Sequence, residues 1–255
     1  MRKLTGYYKE DYVEEVVSLF KKFMVNVREM KLSKNVDGIT HRNVVPFTTY
    51  APWVDDIEFN EILTIVKDYT MVDIYRLYEL WSFVKRNNKL SGDILEVGVW
   101  RGGSGCILAK SAQLFSDCRV YLADTFSGVV KATEHDPIYK GGEHSDTGSE
   151  IVESLVNKLD LKNVKVLIGL FPDEIDLMNT NNLKLKLCHI DVDTYKSAKD
   201  IFYYIWPHMV KGGAVIFDDY GFIGCEGVTK LGNEIDEKDA TFIYNLNGHA
   251  IFIKL

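Results

Sequence analysis

From about residue 90 onwards, short β-rich runs alternate with stretches of helical character, and this alternation restricts the fold more than any other feature of the sequence. The runs read GDILEVGV, CRVYLADT, NVKVLIGL, LKLKLCHIDVD and GGAVIFDDY. Strands separated by helices are typical of a parallel sheet with crossover helices. The chain closes with ATFIYNLNGHAIFIKL, in which two apolar runs flank Asn247-Gly248 and predict a β-hairpin. We therefore predict an α/β fold whose mostly parallel sheet ends in an antiparallel hairpin.

The first 88 residues have a different character, because three stretches in them carry apolar residues at helical spacing. These stretches are EDYVEEVVSLFKKFMVNVREM, DDIEFNEILTIVKDY and MVDIYRLYELWSFVKRN. Between the first two lies ITHRNVVPFTTYAPW, which predicts an irregular segment able to reach over a site. We predict a helical N-terminal cap at residues 1–88 and a sheet domain at residues 89–255. The apolar stripe from Val13 to Met24 serves either a homo-oligomer contact or the protein's own core, and the sequence leaves both open.

Charge and composition limit the partners and the compartment. The formal net charge of -7 argues against nucleic acid or an anionic membrane as the main partner, since both call for basic patches. The start, MRKLTGYYKEDYVEE, lacks the apolar core of a signal peptide, and no apolar run approaches the roughly 18 residues of a membrane span. We therefore expect a soluble, cytoplasmic protein. Its four cysteines form no CxxC pair, which predicts reduced and mostly buried thiols.

Acidic residues follow four of the predicted strands, at the carboxyl ends where ligands bind in open sheets of this type. Because the carboxyl ends of parallel strands meet at one edge of a sheet, we expect these side chains to converge there. In the order of their strands, the acids are Glu96, Asp124, Asp191, Asp193, Asp218 and Asp219.

The first strand leads into EVGVWRGGSG, a glycine-rich turn that allows the backbone to approach a ligand closely and that opens a helix. An acid at the end of the second strand, here Asp124, is placed to hold a ribose diol. Together the two features favour an adenosine-containing cofactor. The turn is not GxGxxG, and nothing in the chain resembles a Walker A lysine loop, which makes a nucleoside triphosphate less suitable.

Asp191, Asp218 and Asp219 predict a metal site. Three carboxylates at one pocket would raise one another's pKa values, whereas a hard divalent ion takes oxygen ligands and would keep all three ionised. The alternative is that these acids are solvated or cap the next helix. Two acidic clusters on neighbouring strands favour the metal, and Mg²⁺ or a similar ion fits. His189 could be a further ligand, but its apolar strand predicts a hydrogen-bonded core residue.

Several segments, in the same order and over most of the chain, carry a family resemblance. They are YAPWVDDIEF, YTMVDIYRLYELW, ILEVGVWRGGSG, YLADTFSG, HIDVDTYKSAKD and GGAVIFDDYG. From about Tyr50 to about Val228 the chain resembles the macrocin O-methyltransferase (TylF-like) family. The resemblance implies a Rossmann-like class I methyltransferase fold and S-adenosylmethionine as the methyl donor. It also implies a divalent ion, usually magnesium, and a sugar hydroxyl as the acceptor, whether nucleotide-linked or part of a glycan or natural product.

The resemblance also implies roles for individual residues. Asp191, Asp218 and Asp219 match the metal-binding aspartates, and Asp193 matches the proposed general base. A free aspartate with a pKa of about 3.9 is too weak a base to take a hydroxyl proton unaided, and a metal ion closes part of that difference. The positions that match the donor-binding motifs, or the acid after the mobile loop, are Glu96, Gly98, Ser104, Asp124, Ser127 and Asp146.

Two departures from the family pattern concern the acceptor. The chain has IDVDTYKS where antibiotic-pathway members usually have LDGDLYES, and DTFSG where they have DSFEG. The acids are retained while their neighbours change, which leaves open an acceptor other than the antibiotic sugars.

Two other classes of protein stay open at the level of the sequence. The first is an NAD-dependent sugar-modifying enzyme, since the parallel sheet, the glycine-rich turn and Asp124 suit a nicotinamide dinucleotide equally well. It explains the acidic cluster poorly, and neither a GxGxxG turn nor a Tyr/Lys or Cys catalytic pair is evident. The second is a non-catalytic sugar- or nucleotide-binding module, against which the retention of all four aspartates argues.

Overall fold

The computed structural model describes residues 18–19, 22, 34–36, 38–41, 50–178 and 183–255. The chain divides into two compact units, Met1–Tyr50 and Ala51–Leu255. In the first unit, β1 (Lys34–Val36) pairs with β2 (Ile39–His41) in an antiparallel ladder. The residues of the apolar stripe that we singled out between Val13 and Met24 lie outside the described residues, so its role stays a prediction.

The second unit holds the other elements, which alternate between helix and strand along most of its length. Its helices are α1 (Ile57–Val66), α2 (Ile74–Arg86), α3 (Gly103–Phe115), α4 (Ser149–Lys158), α5 (Tyr195–Ile205) and α6 (Glu226–Glu234). Its strands are β3 (Asp93–Val97), β4 (Val120–Asp124), β5 (Val164–Ile168), β6 (Leu185–Ile190), β7 (Met209–Phe217), β8 (Ala240–Tyr244) and β9 (Ala250–Lys254). None of the helices that the structure describes has both the length and the apolar composition needed to cross a bilayer.

The strands of the second unit form one sheet in the order β5-β4-β3-β6-β7-β9-β8. Neighbouring strands from β5 to β7 run parallel, and β9 pairs antiparallel with both β7 and β8. The predicted mostly parallel sheet and its terminal hairpin are therefore confirmed. The chain proceeds from β3 outwards through β4 and β5, then returns to place β6 on the other side of β3. A crevice opens at such a reversal, beyond the carboxyl ends of β3 and β6.

Alternate residues of the strands pack into two apolar layers, as the two-residue period of a strand requires. On one face, Ile94 and Leu187 pack in a core with residues of α1 to α4. On the other, Leu95 and Cys188 pack with residues of α5 and α6. The four cysteines are free, and three of them are buried, as the sequence predicted.

The helices α1 and α2 belong to the same compact unit as the sheet, which begins at Ala51. We predicted a division after residue 88, which would place both helices in a separate cap. In the structure, Phe59, Leu80 and Trp81 are fully buried in the core that also contains strand residues of the sheet. Both helices pack against α3, and through this shared core they belong to the helical layer on one face of the sheet. A cap function for the part before Ala51 stays a prediction.

Asp56 ties α1 to α2 through one buried carboxylate. Its side chain caps α1 by accepting a hydrogen bond from the backbone N–H of Phe59 at 3.3 Å. The same carboxylate accepts hydrogen bonds from Trp81 Nε1 at 3.1 Å and Lys85 Nζ at 3.0 Å. Burial raises the pKa of Asp56, but the hydrogen bonds from Lys85, Phe59 and Trp81 outweigh it and hold the pKa below its ordinary value.

Gly98 lets the turn after β3 lie directly against the end of β6. Its φ is +85°, and a Cβ atom there would lie 1.7 Å from the backbone oxygen of Asp191. The residue therefore needs both the left-handed conformation and the missing side chain. The close contact sets the spacing between the glycine-rich turn and Asp191.

We predict that Asp56→Ala lowers the free energy of unfolding by about 2–3 kcal/mol, because α1 loses its cap and the buried Trp81 N–H loses its acceptor. Urea unfolding monitored by circular dichroism measures the change. Because the folded-state pKa is lowered, the contribution of Asp56 is complete above the unfolded-state pKa of about 3.9, so the difference should shrink below about pH 4. The exposed neighbour Asp55 serves as the control, and equal losses for Asp55→Ala and Asp56→Ala would contradict the prediction.

Gly98→Ala should cost several kcal/mol, because the new methyl group meets the Asp191 backbone in addition to the left-handed strain. Gly142→Ala is a matched control, since Gly142 has a φ of +91° with no atom within 4 Å of an added Cβ. The control should therefore lose only about 1 kcal/mol, the cost of the left-handed conformation. Equal losses in urea unfolding would show that the approach to Asp191 is not tight.

Candidate active site

Asp191, Asp218 and Asp219 converge at the carboxyl ends of β6 and β7, as predicted. The backbone N–H of Asp191 donates to Val97 O and that of Asp218 donates to Ile190 O, both at 2.9 Å. The ends of β3, β6 and β7 therefore lie at the same level of the sheet. One carboxylate oxygen from each of the three residues lies within 4.8 Å of the others. Asp219 adopts a left-handed φ of +61°, which brings its side chain to the same pocket as that of Asp218.

The three carboxylates are electrostatically unequal. Burial raises the pKa values of Asp191 and Asp219 well above their usual range, and the charge of Asp218 raises both further. Asp218 has the opposite shift, because the nearby His189 imidazole, the hydrogen bond to His249 and the attraction to Arg76 outweigh burial and lower its pKa. Asp218 is thus the stable anion of the group, and its neighbours are costly to ionise beside it.

A divalent cation would remove that cost, and the donor set suits one. Carboxylate oxygens are the ligands that Mg²⁺ and similar hard ions take. Near Asp191 and Asp219, the cationic groups in the described part of the chain are Arg76, whose Nη1 lies 3.7 Å from Asp219 Oδ1, and His189, whose charge lowers the pKa of Asp191 without offsetting burial. Asp218 uses its oxygens for hydrogen bonds, but each oxygen keeps a second lone pair for an ion. The residues therefore fit a divalent metal.

Two residues of this cluster were missed by sequence reasoning. Arg76 projects from α2, is 5% exposed, and donates from Nη1 to Asp218 Oδ2. His249 follows the hairpin turn, is fully buried, and lies with Nε2 2.9 Å from Asp218 Oδ1. A charged residue at position 76, between apolar Val72 and Leu80 at helical spacing, was the available signal for the first. No local pattern marks His249, because the hairpin alone carries it to β7.

His189 is a hydrogen-bonded core residue, as the sequence predicted. It is fully buried, and its Nδ1 lies 2.9 Å from Glu96 Oε1 on the neighbouring strand β3. Burial lowers the pKa of His189, but the Asp218 carboxylate, 3.6 Å from Nε2, and the hydrogen bond to Glu96 raise it to about 10. Glu96 is equally buried and packs against Gly105 of α3, so it contacts the core rather than the pocket.

Asp193 lies beside the acidic cluster and is held by Tyr139, a further residue that we did not predict. Its φ is +61°, and its Oδ1 accepts a hydrogen bond from the hydroxyl of Tyr139 at 2.7 Å. Burial raises the pKa of Asp193, while the Tyr139 hydrogen bond partly opposes the rise. A carboxylate with a raised pKa is a better proton acceptor than a free aspartate. Tyr139 lies within a polar loop sequence that gives no pattern to mark it.

The opposite side of the same pocket is formed by the glycine-rich turn and the end of β4. Asp124 Oδ2 accepts hydrogen bonds from the backbone N–H groups of Val99 at 2.6 Å and Trp100 at 2.9 Å. Its Oδ1 accepts another from Phe126 N at 2.7 Å. Asp124 thus fixes the turn, and it lines the pocket together with Gly98 and Ser104.

Ser127 and Asp146 lie outside the described lining of this pocket, as does Glu96. Asp146 accepts hydrogen bonds from Trp100 Nε1 at 3.0 Å and from Arg101 Nη2 at 2.7 Å. Of these three residues, Trp100 lines the pocket. Ser127 is exposed, and its hydroxyl donates to Thr125 Oγ1 at 2.9 Å. The tertiary structure therefore brings together seven of the ten predicted site residues: Gly98, Ser104, Asp124, Asp191, Asp193, Asp218 and Asp219.

Comparison with known proteins gives one family. A family model described as macrocin-O-methyltransferase (TylF) matches residues 65–238 of the chain. Mycinamicin III 3''-O-methyltransferase of Micromonospora griseorubida is 29% identical over 197 residues, which are 69% of this chain and 77% of that protein. A Streptomyces olivaceus protein named 8-demethyl-8-(2,3-dimethoxy-alpha-L-rhamnosyl)-tetracenomycin-C 4'-O-methyltransferase is 29% identical over 196 residues, 69% of this chain and 74% of its own.

A solved structure gives the same result. The O-methyltransferase NovP matches with a TM-score of 0.63 and 25% sequence identity, covering 73% of this chain and 82% of NovP.

Proposed function

This chain belongs to the macrocin-O-methyltransferase family, and on that basis we propose that it transfers a methyl group from S-adenosylmethionine to a sugar hydroxyl with the help of a divalent metal ion. The family and the fold make it an O-methyltransferase of the predicted class I architecture. The alternatives of a nicotinamide-dependent enzyme and of a non-catalytic module are therefore wrong. A sugar as the acceptor is supported by the Streptomyces olivaceus relative, whose name contains a rhamnosyl group.

One observation carries the proposal. A single pocket combines the glycine-rich turn and Asp124 on one side with Asp191, Asp193, Asp218 and Asp219 on the other. A site for an adenosine-containing donor and a site for an ion therefore share one cavity. This is the arrangement that metal-assisted methyl transfer requires.

Each side of the pocket has a distinct task. Asp191, Asp218 and Asp219 would hold an ion such as Mg²⁺, which acts as a Lewis acid that eases loss of the acceptor's hydroxyl proton. S-adenosylmethionine supplies the methyl group. Asp193 would receive the hydroxyl proton at Oδ2, the oxygen that Tyr139 leaves available, as the acceptor oxygen takes the methyl group, the S–CH3 bond breaks and S-adenosylhomocysteine leaves.

The donor side is organised by hydrogen bonds of the turn. We propose that Asp124 orients the donor ribose with the remaining lone pair of Oδ1, while Gly98 and Ser104 line the donor cavity. For Glu96, Ser127 and Asp146 we propose indirect roles, because their side chains hydrogen-bond to neighbouring protein groups. Asp146, for example, orients Trp100.

We expect Asp191→Asn to weaken Mg²⁺ binding by at least about tenfold, because the ion loses one of its three charged oxygen ligands. Isothermal titration calorimetry of Mg²⁺ in the presence of S-adenosylhomocysteine measures the loss, and the affinity for S-adenosylhomocysteine itself should change less than about twofold. The exposed Asp236 provides the control Asp236→Asn. If the unaltered protein binds S-adenosylhomocysteine but no divalent ion, the metal part of the proposal fails.

Asp193→Asn should lower kcat by a factor of about 10² to 10⁴, the usual contribution of a positioned base. Formation of S-adenosylhomocysteine, followed with glycosides that carry free vicinal hydroxyls, measures the rate. Donor and Mg²⁺ affinities should stay near those of the unaltered protein. Full turnover by the variant with an acceptor that the unaltered protein methylates would remove Asp193 from the mechanism.

A further inference from the structure

Helix α2 reaches both oxygens of Asp218, through two side chains that lie one turn apart on the helix. Arg76 and Glu79 are separated by three positions and therefore share one face of α2. Arg76 contacts Asp218 directly, whereas Glu79 contacts it through His249. A helix that precedes the sheet in sequence thus controls a carboxylate at the carboxyl end of β7.

The indirect connection is a continuous chain of hydrogen bonds. Glu79 Oε2 accepts from His249 Nδ1, and the other ring nitrogen, Nε2, lies 2.9 Å from Asp218 Oδ1. The Asn245 amide donates to Glu79 at 2.5 Å, which fixes Glu79 against the hairpin turn. The imidazole therefore cannot rotate without breaking a bond to a carboxylate at one of its two ends.

The effect is to hold the Asp218 carboxylate in one plane. Its Oδ2 is engaged by Arg76 and its Oδ1 by His249, and the three side chains are between 0% and 5% exposed. One lone pair of each oxygen is used in this way, and the other is left for the space shared with Asp191 and Asp219.

We propose that Glu79 and His249 are positioning residues that orient Asp218 toward the divalent ion. The inference rests on the proposed function, because it requires that Asp218 is a metal ligand. Groups that hydrogen-bond to a metal ligand typically alter metal affinity by about 10- to 100-fold. Neither residue touches the donor side of the pocket among its described contacts, so the effect should be confined to the ion.

The same geometry allows a rival assignment. His189, His249 and Asp218 each offer a ligand atom within 4.8 Å of the others, so the two imidazoles could themselves hold a transition metal. The separation of 2.9 Å between His249 Nε2 and Asp218 Oδ1 is that of a direct hydrogen bond, which favours the positioning role.

The experiment is a double-mutant cycle on Mg²⁺ affinity, using Glu79→Gln, His249→Phe and the double variant. His249→Phe keeps an aromatic ring but removes both ring nitrogens, and Glu79→Gln keeps the shape of a half-buried side chain while removing its charge. Titration calorimetry is carried out on the full chain with saturating S-adenosylhomocysteine. His208→Gln is the matched control, because His208 precedes β7 at the end opposite Asp218.

We expect His249→Phe to weaken Mg²⁺ binding by about tenfold or more, and Glu79→Gln to weaken it by a smaller factor. Because Glu79 acts through His249, adding Glu79→Gln to His249→Phe should cause no further loss. Affinity for S-adenosylhomocysteine should stay within about twofold, whereas a merely destabilised fold would weaken donor binding as well, and excess Mg²⁺ should restore turnover.

Three results would overturn the inference. One is Mg²⁺ affinity that is unchanged in both single variants, and another is losses that add in the double variant. The third is a second bound equivalent of Mn²⁺, seen by paramagnetic resonance, that disappears in His249→Phe, since that would make the histidine a ligand. Failure of the proposed function is distinguishable, because the unaltered protein itself would then bind no ion.

Discussion

The rest of the site depends on one electrostatic constraint: three carboxylates are packed together where two parallel strands end. Asp218 is kept ionised there by Arg76 and His249, and its charge raises the pKa values of Asp191 and Asp219. Arg76 and His189 together do not balance three carboxylates in a buried place. The arrangement is therefore stable as a fully ionised group only with a further cation, which is why a divalent ion suits it.

Helix α2 connects this constraint to the stability of the fold. Its N-cap residue Asp73 holds Arg76 by a hydrogen bond of 2.8 Å to Nε, and one turn later Glu79 holds His249. Further along the same helix, Trp81 and Lys85 bind Asp56 and so secure α1. The helix thus organises both the acidic cluster and its own attachment. A change in the packing of α2 would therefore shift Arg76 and Glu79, and with them the position of the Asp218 carboxylate.

The loop between β4 and α4 holds both Asp193 and the glycine-rich turn in place. Tyr139 from this loop fixes one oxygen of Asp193, and Asp146 holds Trp100 of the glycine-rich turn. The backbone oxygen of Val130 accepts hydrogen bonds from Thr194 and Ser197, both at 3.0 Å, which ties the loop to the start of α5. The proposed base and the donor turn are in this way held by one segment.

The sequence by itself determined the α/β architecture, the terminal hairpin and the strand ends that carry the acids, because alternation, turn residues and strand period are local properties. It also indicated Asp191, Asp218 and Asp219 as one group, since parallel strands end at a common edge. Only the tertiary structure decided that Arg76 and His249 meet Asp218, that Glu79 meets His249 and that Tyr139 meets Asp193, because these contacts join elements that are far apart in the chain. It likewise showed that Glu96 faces the core, since the direction of a side chain at a strand end depends on which helix packs against that strand.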